Sequence, residues 1–122
     1  MIESLRFTTR VLGPKAAHRL EQGEVTQTIR SESSSITQAV LSGKLKPGDL
    51  MHVVLNNRLI GLAEYLILDT IIWPDLDIDD ARRGGFDNRF QLAYALQRAG
   101  YRFMPVDKYQ FYRCQFTWVG DA

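Results

Sequence analysis

Apolar and polar residues along the chain change their spacing several times, and each change marks a predicted element. Ser4–Arg10, with Leu5, Phe7 and the β-branched Thr8 and Thr9, reads as a short strand. Gly13-Pro14 interrupts it, and Ala16, Ala17 and Leu20 then form a small helical stripe that stops at Gly23. Glu24–Ser35 reads as the next strand. Val25, Gln27 and Ile29 fall on one face of it, and Glu24, Thr26, Thr28 and Arg30 on the other. Ile36, Val40 and Leu41 suggest a helical turn or two before Gly43. Leu45-Lys46-Pro47-Gly48-Asp49 places proline and glycine where a type II turn requires them. The almost wholly apolar strand Leu50–Leu55 follows, and Asn56-Asn57-Arg58 turns the chain into a long strand, Leu59–Ile72. Gly61 marks a bulge or a close backbone approach, and Trp73-Pro74 ends the strand, because proline removes a ladder donor.

Asp75–Asp80 is acidic and turn-like, a segment expected to be solvated, and it leads into a short helix through Ala81-Arg82-Arg83. After the break Gly84-Gly85-Phe86-Asp87 comes the plainest helix, Asn88–Ala99. Asp87 or Asn88 caps it, and Gln91 stands at capping-box spacing. Phe90, Leu92, Ala93, Leu96 and Ala99 make its apolar stripe. Tyr109–Val119 closes the chain as a strand, with Tyr112, Cys114, Phe116 and Trp118 on one face and Arg113, Gln115 and Thr117 on the other. These elements predict an α+β domain spanning residues 1–122. It is a small, mostly antiparallel β-barrel of about five to six strands with two to three peripheral short helices.

Composition adds limits. At 122 residues, with 45% apolar and 24% charged residues, the chain can build one core. No run approaches the ~20 apolar residues of a membrane span. The N-terminus shows no basic region followed by an apolar block, and the single Cys114 excludes an internal disulfide. A cytoplasmic location and no membrane partner are therefore expected. The net charge of +1 conceals a pattern: residues 1–46 carry +3, residues 47–80 carry −6 and residues 81–122 carry +4. Two basic blocks thus flank an acidic one, which allows a basic patch on a neutral protein.

Nucleophilic and metal chemistry find little support. Cys114 lies among aromatic residues and reads as a buried, inert thiol. His18 and His52 have no partners at triad or metal-ligand spacing. Asp75, Asp77, Asp79 and Asp80 lack the glycine and terminal glutamate of a calcium loop, so neither metal nor cofactor is expected. Gly84-Gly85 precedes a helix whose free N–H groups can meet an anion. What remains is polar recognition by Thr26, Thr28, Arg30 and the hydroxyls of Ser31, Ser33, Ser34 and Ser35. Lys15, Lys46, Lys108 and Arg113 are candidate phosphate contacts. Phe86, Tyr109, Tyr112 and Trp73 are candidate stacking surfaces for a base.

An ordered set of short motifs resembles the ASCH domain family, a branch of the PUA-like superfamily. Gly23-Glu-Val-Thr26-Gln-Thr28-Ile-Arg30 resembles its Gly-x-Lys-x-x-Thr-x-Arg signature. Leu45-Lys-Pro-Gly-Asp49, entering a strand pair with Gly61, resembles its Pro-Gly-Asp turn and barrel hairpin. Gly85-Phe86-Asp87 resembles its helix start, and Gln110-Phe-Tyr112 its closing strand. The resemblance covers roughly residues 20–119. It implies a small barrel with a cleft beside the signature strand, and binding of RNA or a modified nucleotide. The residues it implicates in binding are Thr26, Thr28, Arg30, Ser31, Glu32 and Ser33, joined by Lys46, Gly85, Phe86 and Tyr112.

Some bacterial ASCH proteins are amidohydrolases that deacetylate N4-acetylcytidine with a lysine, the signature threonine and a glutamate, and a few are ribonucleases. Here Thr28 and Arg30 match, but Val25 stands at the lysine position and Gly84–Gly85 near the glutamate position. Amide hydrolysis needs a base or an activated nucleophile, and a lone threonine is neither. Thr28 is the catalytic candidate only if the protein is an enzyme. Binding of RNA or a nucleotide-like ligand ranks first, hydrolysis of an acylated nucleoside second, and a ribonuclease or protein-interaction role third. A homodimer through the aromatic strand Tyr109–Trp118 belongs to that third reading.

Overall fold

The computed structural model describes residues 2–101 and 109–120. Its first strand, β1 (Glu3–Phe7), is shorter than the threonine pattern suggests. Thr8 leaves the strand to cap a helix: its hydroxyl accepts the Val11 N–H at 3.3 Å and starts α1 (Thr9–Leu12). At Gly13 the backbone takes φ 84°, which separates α1 from α2 (Pro14–Glu21), with Pro14 in the first turn. Strand β2 (Gln27–Arg30) is only four residues of the longer stretch that alternation predicts. The serines after it turn the chain into α3 (Ser35–Leu41).

The central hairpin forms as its sequence demands. Between β3 (Leu50–Leu55) and β4 (Arg58–Ile72), Asn56 and Asn57 take φ 52° and 65°, the left-handed pair of a type I′ turn. Asn56 also fastens the turn to α1. Its Oδ1 accepts the Thr9 N–H and its Nδ2 donates to the Thr9 hydroxyl, both at 2.9 Å. Gly61 meets both expectations for it. The β3–β4 register shifts opposite it, and a Cβ there would stand 2.8 Å from the Trp118 ring. A short 3-10 turn (Trp73–Asp75), α4 (Ile78–Arg83), α5 (Arg89–Arg98) and β5 (Gln110–Gly120) complete the described chain.

The five strands form one sheet in the order β1-β3-β4-β5-β2, with β1 parallel to β3 and the other pairs antiparallel. The sheet curls into a half-barrel around Leu5, Met51, Val53, Leu55, Phe111 and Phe116, all buried, and Leu20 and Ile36 close the core from α2 and α3. This is a small, mostly antiparallel α+β architecture, with five short α-helices among the described residues where apolar spacing suggested two or three. The apolar stripe of α5 also differs. Leu92, Ala95 and Leu96 are buried, whereas Phe90 is 75% exposed and Ala99 caps the C-terminal end in solvent. Phe90 and Leu92 are two residues apart, about 200° around the helix, and cannot share one face.

Candidate functional site

Strands β1 and β2 are the two ends of the sheet, and the curl brings them toward each other without pairing them. A cavity of about 570 Å³ opens at this seam, within the range of small-ligand sites. β2 contributes Thr28 and Arg30, and β1 contributes Arg6 and Phe7. Arg10 and Leu12 come from α1, and Phe86, Leu92, Leu96 and Tyr101 complete the lining, with the Tyr101 hydroxyl beside Ser31.

Arg30 spans the seam. Its Nη2 donates to the Arg6 carbonyl at 2.7 Å and its Nε to the Thr28 hydroxyl at 2.9 Å, and the guanidinium lies 4.9 Å above the Phe7 ring. Among the described residues no carboxylate pairs with Arg30, and its Nη1 has no acceptor. Burial draws its pKa down from the ordinary value, against the opposing influence of Tyr101 and Cys114. A guanidinium nevertheless keeps its proton. Arg30 therefore brings to the cavity a fixed positive charge that no carboxylate of the described residues pairs with, although the Asp80 carboxylate also lines the cavity.

Asp80 is the opposite case. It is 2% exposed, and its Oδ1 accepts from Gln27 Nε2 at 2.9 Å, Arg83 Nη2 at 2.8 Å and Arg113 Nη1 at 3.0 Å. Its Oδ2 accepts the Asp77 N–H at 3.1 Å, completing the capping box of α4. Burial alone would raise the Asp80 pKa. The bonds from Gln27, the Asp77 backbone, Arg113 and Arg83 outweigh it and hold the carboxyl at about 2. Gln27 Oε1 in turn accepts from Arg83 Nε at 3.1 Å. Arg113 also grips Asp69 at 2.9 and 2.6 Å, and those bonds, ahead of Asp80, raise its own pKa. Asp80 is thus a permanent anion with its lone pairs occupied, not a proton carrier.

The structure sorts the sequence candidates. Thr28, Arg30, Ser31, Ser33 and Phe86 line the cavity together. The Ser31 backbone N–H donates to the Tyr101 hydroxyl at 3.1 Å, and the Ser31 and Ser33 hydroxyls share one bond at 3.1 Å. Thr26 does not line the cavity. It precedes β2, its N–H donates to Arg83 O, and its carbonyl accepts from Phe116 N. Glu32 and Tyr112 bond each other at 3.2 Å outside the cavity. Lys46 sits exposed in the Pro-Gly turn, where its N–H meets Asp49. Gly85 is a packing position: at φ 94°, a Cβ would lie 2.9 Å from Val25. Of the candidate phosphate contacts, Lys15 is paired with Asp87 at 2.6 Å, Arg113 is consumed by two aspartates, and Lys108 lies outside the described residues. The acidic segment is not wholly solvated, because Asp80 turns inward.

Sequence reasoning missed Asp80, Gln27, Arg6 and Tyr101. Gln27 had a signal: a polar residue on the apolar face shared with Val25 and Ile29 requires a buried partner. The Asp77–Asp80 spacing predicts the cap but not the burial. No group of histidine, cysteine and acidic residues fit to hold a metal occurs among the described residues. No helix among them is long and apolar enough to cross a membrane.

No protein-family model matches the sequence, and no curated protein matches it. Solved structures do. A DUF984 protein from Enterococcus faecalis V583 is similar with a TM-score of 0.68 and 13% identity, over 100% of this chain and 83% of that one. The ASCH domain from Lactobacillus crispatus JV V101 is similar with a TM-score of 0.57 and 17% identity, over 86% of this chain and 70% of that one. At these identities the likeness concerns architecture alone. On that evidence the chain has the fold of an ASCH domain.

Proposed function

We propose that the seam cavity is a binding site for RNA or a nucleotide-like ligand. The observation that carries this reading is Arg30: a half-buried guanidinium without a carboxylate partner among the described residues, in a cavity that Phe86 and Tyr101 also line. A cation beside aromatic faces suits a ligand with both negative charge and a flat ring. The geometry favours binding over hydrolysis. The Thr28 oxygen already accepts from a cation, and the carboxylate nearby is held at about 2, so nothing there can take the Thr28 proton at neutral pH.

Fluorescence anisotropy with short single-stranded RNA, repeated across a salt series, tests the reading. Arg30→Ala is expected to weaken binding and to reduce the slope of log K against log salt by about 0.7, the share of one phosphate contact. If wild-type protein binds no RNA or nucleotide, or the variant matches wild type at every salt concentration, the proposal fails.

A further inference from the structure

The hydrogen-bond inventory of the seam is lopsided. Among the described residues Arg30 has used one N–H of Nη2 and that of Nε, and both N–H groups of Nη1 are unengaged. The Thr28 oxygen accepts from Arg30, and its own proton has no acceptor among the described residues. Ser31 and Ser33 share a single bond, so one of their two hydroxyl protons stays available. Acceptors are scarce by contrast. Arg30 occupies the Arg6 carbonyl, and four donors surround the Asp80 carboxylate. The Arg6 guanidinium has no partner among the described residues, and Arg10 bonds only the carbonyl of Arg98 at 3.4 Å. Arg30, Thr28, Ser31 and Ser33 thus set available donors and a positive charge at the β2 end of the cavity.

We infer that this end, formed by Arg30, Thr28, Ser31 and Ser33, is a seat for a phosphate ester, with the rest of the ligand lying in the remainder of the cavity. A base edge offers donors and acceptors together, and half of it would go unsatisfied here. A phosphate offers only acceptors, carries the compensating charge and meets a guanidinium through two parallel bonds. The cavity volume of about 570 Å³ is in the range of small-molecule sites. The inference rests on the cavity being a nucleotide-type site and adds which chemical group is recognised, and where.

Isothermal titration of the intact protein tests it, using the four ribonucleoside 5′-monophosphates, the matching nucleosides, inorganic phosphate and a short oligoribonucleotide. At least one monophosphate is expected to bind about tenfold or more tightly than its nucleoside and to compete with the oligoribonucleotide. Thr28→Val, which removes one donor and leaves Arg30 in place, is expected to narrow that preference. Arg30→Lys keeps the charge and loses the fork, and is expected to narrow it further. The comparison of monophosphate with nucleoside uses wild-type protein and does not depend on a variant folding. Equal binding of the two overturns the phosphate seat and leaves the ligand site standing. If monophosphates, nucleosides and phosphate all fail to bind, the seat is overturned, and the oligoribonucleotide then decides whether the broader proposal falls with it.

Discussion

Asp80 ties three separated parts of the chain together, and Asp80→Asn tests what its carboxylate does. The substitution keeps the size, removes the anion from two guanidinium groups and the Gln27 amide, and turns the oxygen that accepts the Asp77 N–H into an NH2 group. Charge-assisted bonds are worth about 1–1.5 kcal/mol more than neutral ones, so two of them weakened amount to roughly 2–3 kcal/mol. The titration of Asp80 points to the same size. Its carboxyl sits at about 2 when folded against an ordinary 3.8, a gap equivalent to roughly 2 kcal/mol. Because the folded value is the lower one, this stability is fully present above about pH 4 and disappears as pH falls through 2.

Thermal unfolding of both proteins from pH 7 down to pH 2 reads the prediction. At pH 7 the variant should melt roughly 10 °C lower, at about 3–5 °C per kcal/mol for a chain of this size. The difference should shrink below pH 4 as wild type takes up the proton the variant cannot. Other acids that titrate in this range, Asp87 among them, are common to both proteins and cancel. A variant as stable as wild type at pH 7, or a difference that does not change with pH, would refute the argument that charge holds this network.

One further substitution and one chemical probe test the packing. Gly61→Ala should cost about 1–3 kcal/mol and shift tryptophan emission, since the added Cβ strikes the Trp118 ring, which is anchored by its Nε1–H to Val25 O at 2.7 Å; unchanged stability and emission would contradict the close approach. Cys114 is wholly buried, and burial pushes its thiol up to about 11. A thiol reagent at pH 8 should therefore react only at the rate of unfolding, and prompt labelling of the native protein would show the burial to be wrong.

What was legible in the sequence is what neighbours decide. Asn56-Asn57 sets its own left-handed turn, Pro47-Gly48 its own bend, and Asn88 caps α5 by accepting the Gln91 N–H at 3.0 Å. Thr28 and Arg30 were legible too, as polar positions on a strand followed by hydroxyls. The illegible part is long-range. Gln27 and Asp80 are 53 residues apart, and Arg113 lies another 33 beyond. No local spacing reveals that they meet, and an acidic run reads as solvated until its counter-ions are located. Helix α5 went wrong for another reason: its apolar residues are nearly all round the cylinder, so the choice of face belongs to the core it packs against.

A closed barrel of so few strands has its interior filled by its own side chains. Here the ring is left incomplete, and Arg30, reaching across to the Arg6 carbonyl, works as a clasp over the gap instead of a row of strand pairing. Room for a guest exists because closure was left undone. Arg30 sits at the very edge of the sheet, so the site can be narrowed or re-charged there without disturbing the central β3-β4-β5 pairing.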